Sequence, residues 1–216
     1  MIDLGVLLRV PCVEVEMGFD VSPDGEHVAF SWNPDGHWEI YEISLRGSPG
    51  SQTGLGASFA SAGLPQVQPD GSEPLPRLVS YGPGGKFHPR YSPDGKYLAF
   101  SVDLDGSEAF HLMVHGLDTG DQRDLTPGRN CALQADFSWS PDGKNIAFIA
   151  DQSGQFDVYV IPAMGGDARL VLDAGYPAWK VRWSPDGLWL AVTVEAGGID
   201  YGTFIVPALE SGAVHQ

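Results

Sequence analysis

Four copies of Ser-Pro-Asp-Gly, starting at Ser22, Ser92, Ser140 and Ser184, constrain this chain more than any other feature. The tetrapeptide reads as a turn whose parts explain each other. Proline fixes φ near the value required at the second position of a type I turn. Aspartate bonds back to nearby backbone, and glycine takes the left-handed conformation that ends such a turn with a bulge. The residues expected in these roles are Asp24 and Gly25, Asp94 and Gly95, Asp142 and Gly143, and Asp186 and Gly187. Each turn leads into an apolar triplet: Val28-Ala29-Phe30, Leu98-Ala99-Phe100, Ile146-Ala147-Phe148 and Leu190-Ala191-Val192. A triplet apolar on both parities predicts a strand buried on both faces, in a hairpin sandwiched between other sheets.

The turns start 70, 48 and 44 residues apart. The first interval becomes ordinary if residues 46–76, dominated by Gly, Ser, Gln, Pro and Ala, form a flexible surface insert. What remains is a period of roughly 40–50 residues, which is that of propeller blades. The expected fold is therefore all-β, a β-propeller segment of about four four-stranded blades in one domain, 1–216. The blades fall at about 18–81, 87–126, 135–173 and 179–216. The last is expected to be incomplete, because Gln216 is reached before an outer strand is finished. An early strand, Val6-Leu7-Leu8-Arg9-Val10, is a candidate to supply it.

Composition narrows function chiefly by exclusion. With 28 acidic against 12 basic residues, the net charge of −16 argues against nucleic acid and anionic membrane as partners. Several of the acids are the turn aspartates themselves, so a solvated acidic surface is the simpler reading. The two cysteines, Cys12 and Cys131, have no metal-type spacing and read as free thiols. Residues 1–15 lack a basic region and a small-residue cleavage site, so no signal peptide is expected and a cytoplasmic location follows.

The repeated Ser-Pro-Asp-Gly-Lys-x-apolar-Ala-Phe pattern resembles the propeller repeats of TolB-like proteins and of the prolyl oligopeptidase family of serine peptidases. The opening looks more like the peptidase branch, of acylaminoacyl-peptidase and dipeptidyl-peptidase type. Its residues are Leu8-Arg9-Val10-Pro11, then Gly18 through Gly25, then Trp38-Glu39-Ile40-Tyr41. That resemblance implies a non-catalytic propeller of usually seven or eight blades that gates peptide access to a hydrolase domain. The partner it implies is the hydrolase domain of a parent protein, with peptides as a further possibility; another copy of the chain is the alternative partner, because an open arc of four blades would leave two apolar faces bare. The rival reading is a stand-alone TolB-like propeller that binds a protein partner, and a third is a fragment without independent function.

Catalytic and cofactor sites are not expected. The chain has no Gly-x-Ser-x-Gly elbow, and the four conspicuous serines sit in turns. His27, His88 and His111 have no positional relation to those serines that would build a triad. The run Asp103-Leu104-Asp105-Gly106-Ser107-Glu108 suggests a calcium loop but lacks EF-hand spacing and falls where a blade needs a turn. Tyr91, Trp139 and Trp183 each precede a turn at the same blade position, which marks blade packing and not a stacking platform. Some dipeptidyl peptidases hold a substrate's free amine with propeller glutamates; Glu195 or Glu108 could be proposed for that role by resemblance, but nothing in the local pattern selects them.

Overall fold

The computed structural model describes residues 18–44, 76–128, 131–196 and 200–208. The Val6–Val10 segment, the 46–76 insert up to residue 75, and residues 209–216 lie outside the described residues. Among the described residues, fifteen strands form four antiparallel sheets, each a meander in chain order. The first blade holds β1 (Phe19–Val21), β2 (His27–Trp32), β3 (Glu39–Ser44) and β4 (Arg77–Leu78). The second holds β5 (Gly85–Tyr91), β6 (Tyr97–Asp103), β7 (His111–Gly116) and β8 (Gln122–Asp124). The third holds β9 (Leu133–Trp139), β10 (Asn145–Ala150), β11 (Asp157–Pro162) and β12 (Arg169–Leu172). The fourth has three strands among the described residues, β13 (Ala178–Trp183), β14 (Trp189–Ala196) and β15 (Asp200–Pro207). This is an all-β propeller segment.

The sequence predicts strands over Arg77–Tyr81 and Thr203–Val206, and the structure bounds both differently. β4 stops at Leu78, where Arg77–Tyr81 was expected, because Val79 and Ser80 turn their amides to the Ile40 carbonyl and lead the chain to the next blade. β15 runs eight residues, twice the expected Thr203–Val206, since every residue of β14 from Trp189 to Ala196 finds a register partner on it.

The second strand of each blade explains the apolar triplets. Its two faces serve different neighbours. Ala29 packs forward against Tyr91, Leu98 and Phe100 of the second blade. Ala99 packs forward with Leu112 and Val114 against Phe137, Ile146 and Phe148 of the third. Ala147, Ile149, Val158 and Val160 meet Val181, Leu190 and Val192 of the fourth. The core therefore lies between sheets. A fully buried Leu, Ile or Phe contributes about 1.5–3 kcal/mol relative to exposure, so each junction holds the blades by apolar burial.

At every repeat the turn is closed the same way. The glycine N–H donates to the serine carbonyl at 2.8 Å (Gly25), 2.9 Å (Gly95 and Gly143) and 3.0 Å (Gly187). Those glycines have φ of 73°, 71°, 70° and 75°. A Cβ at Gly143 would stand 3.7 Å from Pro93, an ordinary contact, so a side chain there is opposed by its backbone conformation and not by lack of room. Gly143→Val is expected to destabilise the fold by about 1–2 kcal/mol or more. Thermal melting of the purified variant checks this, and an unchanged midpoint would contradict it.

Candidate functional surfaces at the turns and blade junctions

Each turn serine hydroxyl is committed to its own turn. It donates to the aspartate Oδ1 at 2.6 Å in Ser22–Asp24, 2.7 Å in Ser92–Asp94 and Ser140–Asp142, and 2.5 Å in Ser184–Asp186. The same Oγ accepts the amide of the residue five positions on, His27, Tyr97, Asn145 or Trp189, at 2.9–3.0 Å. The Oδ1 also accepts the amides of Glu26, Lys96, Lys144 and Leu188. The serine hydrogen bond, with backbone help, holds the carboxyls of Asp94, Asp142 and Asp186 below their ordinary 3.8. Lowering their pKa makes them weaker bases, and no imidazole takes the serine proton, so the arrangement caps a turn and does not activate a nucleophile.

The histidines are separately engaged. His111 Nδ1 lies 3.0 Å from Asp124 Oδ2 within the second blade. His88 has φ of 54° at the bulge in β5, against Gly18, and burial followed by the nearby Arg90 lowers its pKa. In the calcium-like run, Asp103 Oδ1 accepts the amides of Asp105 and Gly106 at 3.3 and 2.8 Å, and Oδ2 accepts that of Glu108 at 3.2 Å. Its carboxylate closes a turn, and no group of three or more potential metal ligands occurs among the described residues. Glu195 accepts Trp179 Nε1 at 3.0 Å on the fourth blade, whereas Glu108 lies on the second, so the two are not brought together. A recess of about 330 Å³ between the first two blades is lined by Trp38, Phe87, Leu104 and several glycines, with His37 and Asp103 as its titratable groups.

The polar residues that matter sit at the junctions, and several carry no signal in the repeat. Tyr91 donates its hydroxyl to the buried Glu42 Oε1 at 2.8 Å, and Arg77 Nη2 meets Oε2 at 2.7 Å. Burial and the Glu42 hydrogen bond raise the Tyr91 pKa. Trp139 Nε1 reaches the Arg90 carbonyl of the preceding blade at 3.1 Å, whereas the buried Trp183 Nε1 has no partner. Asp20 accepts the Tyr91 amide at 2.9 Å. Asp136 accepts the Val181 amide at 2.9 Å and pairs with Arg182 at 2.7 Å. Lys86, its side chain 1% exposed, donates to Glu39 Oε1 at 2.7 Å and to the Gly82 carbonyl, while Ser80 donates to Glu39 Oε2. Lys86 follows a Gly-Gly pair and Glu39 alternates along an ordinary strand, so nothing local marks the pair. Their positions two to four residues before a turn would have flagged Asp20 and Asp136.

Blades that are cored only by one another, with no convergent catalytic groups among the described residues, define a β-propeller scaffold. Residues 76–212 match the family described as PD40, TolB beta propeller domain, and the chain belongs to that family. It is 34% identical to the uncharacterized peptidase YuxL of Bacillus subtilis over 114 residues, covering 50% of this chain and 17% of that protein. It is 27% identical to dipeptidyl-peptidase 5 of Porphyromonas gingivalis over 158 residues, covering 71% of this chain and 22% of that protein. A puromycin-hydrolyzing peptidase from Mycobacterium tuberculosis superposes with a TM-score of 0.62 at 18% identity, over 88% of this chain and 30% of its own. That last likeness is one of fold. The chain spans 17–62% of the length of these curated relatives and of a third, Atu1656 of Agrobacterium fabrum. The propeller of this chain is thus related to peptidase propellers.

Two predictions follow from this chemistry. Because the folded pKa of Asp142 lies below its ordinary value, its contribution to stability is present above about pH 4. It is lost as pH falls through the folded pKa. Asp142→Asn should therefore melt lower than the parent at pH 7, with the gap narrowing as pH falls below about 4. A gap independent of pH would contradict the carboxylate's role. Lys86→Met leaves Glu39 without its cationic partner and is expected to cost about 3–5 kcal/mol. Adding Glu39→Gln should recover part of that loss in a denaturant titration, and a double variant no better than the single would contradict it.

Proposed function

We propose that this chain is the non-catalytic propeller portion of a prolyl-oligopeptidase-like serine peptidase, gating peptide access to a hydrolase domain that the chain does not itself contain. The observation that carries the reading is the pairing of peptidase-named relatives with the small share of them that is matched. Half of this chain aligns with 17% of the Bacillus subtilis peptidase at 34% identity. The turn geometry supports the non-catalytic half of the proposal, since the repeated serines are held as caps. On this reading the partner is a hydrolase domain, the gated molecules are peptides, and the location is cytoplasmic.

The test has two arms. The purified 216-residue chain should neither hydrolyse peptide and ester substrates nor take up a fluorophosphonate probe. An antibody raised against it should recover, from the organism that encodes it, a species that does take up the probe, either one longer polypeptide or a tight complex with a hydrolase subunit. Stoichiometric labelling of the isolated chain would overturn the non-catalytic assignment. Recovery of the chain in unlabelled form with some other protein would overturn the peptidase assignment and favour a TolB-like binding propeller.

A further inference from the structure

At the end of the sheets opposite the Ser-Pro-Asp-Gly turns, the first two blades enclose the recess of about 330 Å³. Three segments meet there: 33–38 between β2 and β3, 79–84 between β4 and β5, and 104–110 between β6 and β7. Its walls are aromatic. Trp38 and Phe87 line it and are half-buried, so each ring is partly open to it. Their centroids lie 5.9 Å apart with planes inclined at 47°, and Phe110 packs edge-on against Phe87 at 6.1 Å. The connector's glycines make room for this arrangement. A Cβ at Gly85 would stand 2.8 Å from the Phe87 ring, and one at Gly84 would overlap the Asp103 carbonyl oxygen. Neither position admits a side chain while the ring and the Asp103 turn keep their places.

Charge around the recess has one sign. The three segments and the strand ends that flank them carry Asp35, Glu39, Asp103, Asp105 and Glu108 against one lysine, Lys86, and no arginine. Lys86 is turned inward and neutralised, since its Nζ donates to Glu39 Oε1 at 2.7 Å and to the Gly82 carbonyl. The other four acids have no Lys or Arg within ion-pair distance among the described residues. Asp35, Asp105 and Glu108 are exposed, and Asp103 lines the recess while closing its own turn. Such a field repels anions. The volume stands at the small end of the range for ligand sites, with room for one extended side chain.

The geometry points to a binding site, between the first two blades, for the arginine side chain of a polypeptide segment. A guanidinium is planar and weakly hydrated, so it lies on an aromatic face while its edge forks to a carboxylate. Trp38 and Phe87 offer the faces, Asp103 offers the carboxylate at the wall, and Asp35, Asp105 and Glu108 supply the surrounding field. An ammonium has no plane to stack and carries a tighter hydration shell, so lysine fits the same site less well. A neutral side chain gains nothing from the four acids. The inference stands apart from the peptidase reading, because a gating propeller and a binding propeller would use the recess alike and binding needs no hydrolase.

Titration calorimetry of the purified chain with acetyl-Gly-Arg-Gly-amide tests the site, since the blocked ends leave the side chain as the peptide's only charge. The expected Kd is about 1 mM or tighter. The lysine counterpart should bind at least ~3-fold more weakly, and the neutral citrulline counterpart, which keeps the shape, at least ~10-fold more weakly. His37 is exposed at the lining, so His37→Lys places a competing cation in the recess without disturbing the core. It should weaken binding at least ~10-fold, whereas His37→Glu should tighten it. Trp38→Ala should abolish binding with the β fold retained by circular dichroism; should that variant unfold, the opposed pair at His37 carries the test. No heat from the arginine peptide at about 10 mM would overturn the proposal. So would equal binding of the citrulline peptide, which marks a merely apolar crevice. Binding indifferent to both His37 substitutions would also overturn it, by placing the cation elsewhere on the acidic surface.

Discussion

A blade of this protein has no core of its own, and everything else in the structure follows from that. Its sheet is one layer thick, with apolar residues on both faces of the second strand. At the three junctions burial is obtained because a second sheet lies against the face. Ala147 and Ile149 look forward to the fourth blade while Ile146 and Phe148 look back to the second, within one four-residue stretch. Ala29, Ala99 and Ala147 are each fully buried among residues of the following blade.

Polar chemistry serves the same end. Inner strands approach one another with backbone amides that the sheet ladder does not use, and carboxylates from the preceding blade meet them, as Asp20 does for Tyr91 and Asp136 for Val181. The turn aspartates act one level down, holding the hairpin whose proline touches the next glycine. Acidic residues are thus distributed as local caps and junction acceptors, which accounts for much of the negative charge without invoking a binding site. The buried Lys86–Glu39 pair is a different device, since its desolvation is offset by the additional contacts from Ser80 and Gly82.

How much of this was legible in the sequence depended on repetition. The turn, its glycine and the apolar triplet recur four times, and recurrence gave the blade period and the all-β architecture directly. The absence of an elbow motif was equally plain and kept the turn serines from being read as nucleophiles. Junction polar groups other than Asp20 and Asp136 are not legible, because each blade solves the problem differently: Asp20, Arg90, Ser138 and Arg182 occupy the same place before the four turns. Glu42 and Lys86 are found only once the sheets are stacked, since their partners lie 49 and 47 residues away. The full length of β15 is not legible because Asp200, Gly202 and Pro207 have weak strand preferences that pairing to β14 overrides.

The claim that stability resides between blades is tested most directly by native-state hydrogen exchange, read strand by strand on dilute, monomeric chain. β6 and β10 are covered by other blades on both faces, whereas β14 is covered on one. The account predicts that amides of β6 and β10 exchange only through global unfolding and that those of β14 open sooner, in a local step. Equal protection of all three strands would contradict it, because each blade would then be holding itself together without its neighbours.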